Sequence, residues 1–495
     1  MRWLSGALVA VSVVIFAAWV LLAAVHVDDR YDIDHVSGAR IALAQDFAHG
    51  TLYPELYDGS FYGGTRFMPL PIVLHGALAR LTGEYLVSGK VLAYCVMLAL
   101  LGVMLILLRD LRCPLPIAVG LIAGVVATGT GLAAGMGLRA DTLPLLLQLL
   151  AVAAVARTRR PMIVVAAAAL SALAFASKLS AVWAPLAIAS WLAVVDRRRL
   201  IWFVAAYGGL VAALLTLFGT VTDGRIFENV FGLSMAGMDN AASLLRGPNV
   251  LLHLLVEQVT GTWVLLPAVA IAVWLAVRQR HASIYLVSFA WCLVILVVVL
   301  SDIGTGSNQL VDLVVLTALV VGELAGRYAI GTGSPAAVAI SAVLALVLLW
   351  TNLTGLVVAI APSTSEAVRE LRGEQLYNRR PLSGHATTAT SVLSEDPYVP
   401  VSLGQRPVVL DPFMLLRLGR SDPAAVGRLV ERIRAREFAL VILVVPLQPT
   451  DQEWWRDMHF GTPVVQALAA SYTFGGRVQG YYVYRPAPAG TEGRG

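Results

Sequence analysis

Trp3-Leu-Ser-Gly-Ala-Leu-Val-Ala-Val-Ser-Val-Val-Ile-Phe-Ala-Ala-Trp-Val-Leu-Leu-Ala-Ala-Val-His26 runs without one Asp, Glu, Lys or Arg, and His26-Val-Asp-Asp-Arg-Tyr-Asp-Ile-Asp-His35 follows it at once. About 20 apolar residues cross the roughly 30 Å of bilayer hydrocarbon as a helix, so residues 3–26 read as a membrane span. The abrupt change to acidic sequence marks where the chain meets water. The apolar core is longer than that of a cleavable leader and has no clean small-x-small site behind it, so the segment is expected to remain as a signal anchor.

The whole chain follows the same rule. Of its 495 residues 58% are hydrophobic and 14% charged, and the mean hydropathy is +0.76, which excludes a soluble globule. The apolar runs have helical length, and the period-2 alternation of a transmembrane barrel is missing, so a helical bundle is expected. Spans are placed near 3–26, 84–108, 115–133, 141–157, 161–177, 179–195, 200–222, 261–277, 282–301, 308–326 and 335–360, about eleven in all. Arg109 and Arg112, Arg157-Thr-Arg-Arg160, Asp196-Arg-Arg-Arg199, Arg278-Gln-Arg-His281 and Arg327 fall at every second turn. Positive residues stay on the cytoplasmic side of short loops, so these turns are assigned inside, with the N-terminus. The acidic loop and everything after Pro362 are then outside, with a bacterial inner membrane as the expected location.

Three regions are expected. Residues 1–361 form the membrane domain, residues 27–83 its first outer loop, and residues 362–495 an extracytoplasmic α/β domain. Within the loop, 69–81 is too short to span and suits a helix lying along the interface. In the tail, 399–410, 438–445 and 478–484 read as strands and 422–437 as an amphipathic helix, with 487–495 disordered. Cys95, Cys113 and Cys292 are too dispersed for a metal site or a disulfide framework. The net charge of +5 is spread over many short loops, which argues topology and not nucleic-acid binding.

The first outer loop gathers Asp28, Asp29, Asp32, Asp34, Asp46, Glu55 and Asp58. Asp32 and Asp34, just past the first span, are the candidate catalytic carboxylates, because partly lowered dielectric can raise a carboxyl pKa toward that of a useful base. Arg139 and Asp141 in Gly137-Leu-Arg-Ala-Asp-Thr142 stand at the outer start of the fourth span, against the positive-inside trend. An ionisable group there is a functional candidate, and an Arg fork fits phosphate oxygens. Lys178, in the turn between the fifth and sixth spans, suits a phosphate by charge, though snorkelling to the headgroups explains it as well. Arg66 and Tyr62 in Tyr62-Gly-Gly-Thr-Arg66 add a cation and a ring beside two glycines that allow close backbone approach. Asn308 lies in the polar turn Asp302-Ile-Gly-Thr-Gly-Ser-Asn-Gln309. A divalent metal held by Asp32, Asp34 and His35 stays open.

The order and sidedness of these motifs resemble the GT-C class of membrane glycosyltransferases, over roughly 1–360. They are an Asp-containing first outer loop, Gly50-x-Leu-Tyr53-Pro, an aromatic–Gly turn into Pro69-Leu-Pro71, Arg139-x-Asp141, the Lys178 turn and the Gly304–Asn308 turn. The nearest branch by pattern is that of protein mannosyltransferases and the lipid A aminoarabinose transferase. The family often has Asp-Glu where this chain reads Asp32-Ile-Asp34, so either carboxylate could take the catalytic place. The resemblance implies sugar transfer from a polyprenyl-phosphate donor to an acceptor hydroxyl on a glycan, lipid or protein, with inversion. It assigns the base to Asp34 or Asp32 and leaving-phosphate stabilisation to Arg139, Lys178 and Arg66, with Asp141, Tyr62 and Asn308 also binding substrate. A lipid-linked glycan polymerase or ligase is the first alternative, but its chemistry normally lies in a large later loop. A polytopic transporter is the second, but ionisable residues at outer helix ends differ from the midplane charges of transporters.

Overall fold

The computed structural model describes residues 2–139, 141–158, 160–232, 244–258, 262–279, 282–328 and 335–488. Arg159, Arg280 and His281 of the basic turns, and 489–495 of the tail end expected to be disordered, lie outside the described residues.

Helix runs along most of each expected span, and further helices lie in the segments between them. In order these are α1 (Arg2–Val25), α2 (His35–Ala48), α3 (Pro69–Thr82), α4 (Tyr85–Asp110), α5 (Leu115–Val126), α6 (Gly129–Met136), α7 (Thr142–Arg157), α8 (Pro161–Ser177), α9 (Trp183–Val195) and α10 (Arg197–Val221). Helices Arg246–Gln258, Leu266–Gln279, Ile284–Val299, Val311–Tyr328, Pro335–Gly355 and Ala361–Leu371 follow. Among the described residues five are long and apolar enough to cross a membrane alone, namely Arg2–Val25, Tyr85–Asp110, Arg197–Val221, Ser307–Tyr328 and Ala337–Leu371. Helices α5 and α6 qualify as a pair bent by 73°, and α7, α8, α9, Leu266–Gln279 and Ile284–Val299 are shorter apolar helices. Helices are the natural solution here because hydrocarbon offers no partner to an unpaired peptide group.

By contact the chain forms two units. The membrane unit is Met1–Val27, Lys90–Thr216 and Asn240–Glu374; the second is Asp28–Gly89, Leu217–Asp239 and Gln375–Gly495, so the acidic loop and the tail share a unit. In the membrane unit α1 packs on α5 and on Pro335–Gly355, α7 on α8, and Ile284–Val299 on both α9 and Val311–Tyr328. Lys90, fully buried, caps the end of α1 by donating from Nζ to the His26 carbonyl at 2.6 Å. The bend between α5 and α6 is made by Thr128, whose hydroxyl accepts from Gly131 N at 2.9 Å. Thr130 in the same turn donates to Ser307 O at 3.4 Å, which ties α6 to the turn bearing Asn308.

In the second unit a four-stranded sheet has the order β1-β2-β4-β3, with β1 (Val392–Ser394) parallel to β2 (Leu440–Leu443) and β3 (Tyr472–Val478) and β4 (Tyr481–Pro486) antiparallel. The 438–445 strand and the 422–437 helix are present, the latter as Pro423–Arg434 capped by Asp422. The strand expected at 399–410 is not: residues Tyr398–Ser402 are helical. Pro397 and Pro400 favour a first helical turn and Gly404 turns the chain at φ +74°, so β-branching is overruled by backbone. Part of the acidic loop joins this unit's core, since Tyr62 bridges both Tyr57 and Val409. Asn229, from the short helix Phe227–Phe231, accepts from Gly64 N and donates to Pro54 O, both at 3.1 Å.

A Cβ on Gly131 would lie 1.8 Å from the Val125 carbonyl oxygen. Gly131→Ala is therefore expected to destabilise the bend by ~1–3 kcal/mol, read as a lower thermal unfolding midpoint of the detergent-solubilised protein.

Candidate functional site

Three residues singled out from separate parts of the sequence meet in the membrane unit. Lys178 Nζ donates to Asp141 Oδ1 at 2.6 Å, and Asn308 Nδ2 donates to Asp141 Oδ2 at 2.9 Å. Asp141 caps α7 and Lys178 ends α8, while Asn308 comes from the polar turn before Val311–Tyr328. Helix ends place charged groups where they can leave the hydrocarbon, and the carboxylate is satisfied on both oxygens. Its side chain is 6% exposed, and that of Lys178 is 19% exposed. The Arg139 charge acts on the same carboxylate.

Beside Lys178 lies a cleft of ≈ 320 Å³, open mouth included, lined among others by Gln148, Trp183, Cys292, Gln309 and Asp312. Asp312 accepts from Trp183 Nε1 at 2.7 Å, and Gln148 Oε1 accepts from Ala184 N at 3.1 Å. Neither Asp312 nor Gln148 was singled out from the sequence. A lone acid in the apolar run Leu310-Val-Asp-Leu-Val was the available signal for Asp312.

The candidate carboxylates belong to the second unit. Asp34 is the N-cap of α2, its Oδ1 accepting from Ser37 N at 2.9 Å. Asp32 is exposed and holds a left-handed backbone at φ +57°. Several other loop acids have structural work: Asp29 accepts from Tyr31 N at 2.8 Å, while Asp58 lies 2.8 Å and Asp46 3.6 Å from the Arg406 guanidinium.

The start of α2 is gripped by tail residues just beyond the carboxyl ends of β1 and β2. Asp396 Oδ1 accepts from Tyr398 N at 2.9 Å and its Oδ2 from the Tyr481 hydroxyl at 2.5 Å. A Cβ on Gly38 would lie 2.2 Å from Asp396 Oδ1, so only glycine permits this approach. The ring of His35 is 4.4 Å from that of His459, centroid to centroid. Burial, with His459 adding to it, pushes the His35 pKa below its usual value. His459 Nδ1 lies in hydrogen-bond contact with Glu395 Oε1 at 2.6 Å; the same oxygen accepts from Trp454 Nε1 at 2.7 Å, and Oε2 accepts from Val444 N at 2.7 Å. Glu395, Asp396 and His459 were not foreseen, because nothing local in sequence couples residues 35, 395 and 459.

Other expectations change on inspection. Tyr62 is 1% exposed and its hydroxyl donates to Ala425 O at 2.9 Å, so the ring is a core element without a face to offer a substrate. The Gly63-Gly64 pair brings backbone close to the chain itself: a Cβ on Gly63 would lie 2.1 Å from Glu55 O. Arg66 is half-buried with its guanidinium 4.9 Å from the Phe413 ring centroid. Asp32, Asp34 and His35 are not gathered as metal ligands; among the described residues no group of three or more His, Cys, Asp or Glu side chains could hold a metal ion.

Two outcomes follow from this geometry. Asp141→Asn removes the negative charge facing Lys178, and breaking a buried pair from one side costs roughly 3–5 kcal/mol, to be read in the thermal unfolding midpoint. Burial pushes the Asp396 pKa up to about 6 against 3.8 in the free residue. The folded state thus favours the protonated acid, so this contribution is full below pH 4 and is lost as pH rises through 6, by ~3 kcal/mol. Asp396→Asn should remove that loss, making the variant the more stable of the two at pH 8 in pH-stepped unfolding.

No protein-family model matches the chain, and no curated protein sequence matches it. Solved structures do. ArnT from Cupriavidus metallidurans bound to undecaprenyl phosphate aligns over 98% of this chain and 99% of its own at 14% identity and a TM-score of 0.60. The apo form of the same protein gives 16% identity over 95% and 97%, with a TM-score of 0.61. The apo oligosaccharyltransferase of Archaeoglobus fulgidus gives 12% identity over 96% of this chain and 75% of its own, with a TM-score of 0.53. This chain has the fold of GT-C membrane glycosyltransferases, an α-helical membrane bundle with a small C-terminal α/β unit.

Proposed function

We propose that the protein is a membrane glycosyltransferase that moves a sugar from a polyprenyl-phosphate donor to an acceptor hydroxyl, with inversion, on the extracytoplasmic face of a bacterial inner membrane. The observation that carries this reading is the convergence of Asp141, Lys178 and Asn308 in a chain with this fold. An ammonium held by one carboxylate at the edge of the apolar helices is a preorganised cation for a phosphate, and such a cation is most useful where negative charge builds on a leaving oxygen. ArnT, the structural neighbour, has been solved with undecaprenyl phosphate.

In this reading Asp34 is the general base. An acceptor hydroxyl has a pKa far above neutral, so its proton must leave as the oxygen attacks the sugar C1 from the side opposite the phosphate. The O–C1 bond forms, the C1–phosphate oxygen bond breaks with its electron pair, and the proton goes to the carboxylate. Asp34 is favoured over Asp32 because its side chain is held at the N-terminus of α2 by the Ser37 N–H, whereas Asp32 is exposed. Lys178 and Arg139 steady the phosphate leaving group, Asp141 and Asn308 orient Lys178, and Arg66 is a further cation for donor or acceptor. The chemistry asks for no nucleotide, since the donor's phosphate ester supplies the leaving group.

The test uses the protein in nanodiscs with a panel of undecaprenyl-phosphate-linked hexoses and pentoses. Asp34→Asn should lower release of the labelled sugar by ~10²–10⁴-fold while undecaprenyl phosphate still binds by native mass spectrometry. Lys178→Ala should weaken that binding. If Asp32→Asn and Asp34→Asn both leave turnover intact, the base assignment is wrong; if no panel member is turned over by the wild type, so is the donor class.

A further inference from the structure

We propose that Glu395, His459 and Trp454 form a socket that positions Asp34, acting through the His35 ring and the first turn of α2, so that they are positioning residues for the transfer reaction. This rests on Asp34 being the general base.

The socket is built, and its members are spent on one another. Glu395 is fully buried and His459 is 1% exposed. One carboxylate receives the Trp454 indole N–H, the His459 Nδ1–H and the Val444 N–H. Five polar atoms are committed to one arrangement around the buried Glu395 and His459 side chains, which fixes the ring plane of His459. Trp454 and His459 lie 4.3 Å apart by ring centroid, and His35 stands edge-on to both, at 6.3 and 4.4 Å. His35 is the first residue of α2 and follows Asp34 directly, so fixing its ring fixes the peptide that aims the carboxylate. A second contact acts on the same turn from the neighbouring residue of β1's end: Asp396 Oδ1 occupies the space where Gly38 lacks a Cβ. The edge-on ring contacts and the glycine contact together define both the rotation and the depth of the helix start. Burial of a carboxylate and an imidazole is a demanding way merely to fill a core, which hydrophobic side chains fill at less cost. What the polar pair adds is direction. A general base misplaced by about 1 Å can lose two orders of magnitude in rate, so direction is what a catalytic carboxylate needs from its surroundings.

Three variants separate positioning from folding. His459→Phe keeps a ring against His35 but deletes the hydrogen bond to Glu395. His459→Asn retains a donor near the Nδ1 position. Gly38→Ala leaves the tail untouched and improves intrinsic helix propensity, yet drives a methyl group into Asp396. The readouts are kcat and KM for the undecaprenyl-phosphate-linked sugar that the wild type turns over, and hydrogen exchange of the segment 34–44. That segment contains the Ser37 and Gly38 amides, which donate to Asp34 side chain and carbonyl at 2.9 and 2.8 Å. His459→Phe and Gly38→Ala should each lower kcat roughly tenfold to hundredfold with KM nearly unchanged and with faster exchange of 34–44. His459→Asn should recover most of the lost kcat. Wild-type kcat and exchange in both His459→Phe and Gly38→Ala, alongside an inactive Asp34→Asn, overturn the proposal. A fully active Asp34→Asn overturns the base assignment instead, and the exchange arm then decides on its own whether the socket holds α2. If His459→Phe does not fold, Gly38→Ala alone decides the matter by the same two readouts.

Discussion

Hydrocarbon accepts no unpaired peptide group, and that constraint shapes the membrane unit. It turns the apolar runs into helices and pushes groups that can do chemistry to their ends. Asp141 at the start of α7 and Lys178 at the end of α8 occupy such positions, and Asn308 enters from the turn before the helix Val311–Tyr328. Asp312, inside the apolar helix Val311–Tyr328, accepts from the Trp183 indole. The bend between α5 and α6 serves the same end, since Thr128, Thr130 and Gly131 give the broken backbone partners while tying it to Ser307.

The second unit shows a different constraint, that of burying acidic groups beside partners that satisfy them. Its answer is concentrated beyond the carboxyl ends of the parallel strands β1 and β2. Glu395 and Asp396 are adjacent in sequence and nearly inaccessible, but they differ in company. Glu395 accepts from the Val444 and Trp454 N–H groups and is hydrogen-bonded to the His459 imidazole. Asp396 has a peptide N–H and a phenol, and burial dominates its ionisation. Two acids one residue apart thus differ in environment, and both bear on the first turn of α2.

Much of this was legible in the sequence. The apolar runs announced the bundle because helical length and bilayer thickness are tied by 1.5 Å per residue. Asp141, Lys178 and Asn308 could be named because an ionisable or polar group at the end of an apolar helix is a functional candidate. The tail's second strand and its amphipathic helix followed from local pattern, whereas residues 399–410 misled because Pro397, Pro400 and Gly404 outweigh β-branched side chains. Tyr62 misled for another reason: an aromatic beside glycines looks the same in sequence whether it faces a ligand or closes a core.

The sequence by itself determined the class of fold, the long apolar segments that are helical and the residues with charge in unusual places, because these depend on hydrophobicity and spacing within one stretch of chain. Only the tertiary structure decided that Asp141 holds both Lys178 and Asn308, that Tyr62 is spent on Ala425, and that His35 meets a carboxylate–imidazole pair some 360 to 420 positions away. Those are pairings between distant residues, set by how helices and strands pack. A carboxylate's neighbours, unlike its hydrophobic context, leave no trace in the residues beside it.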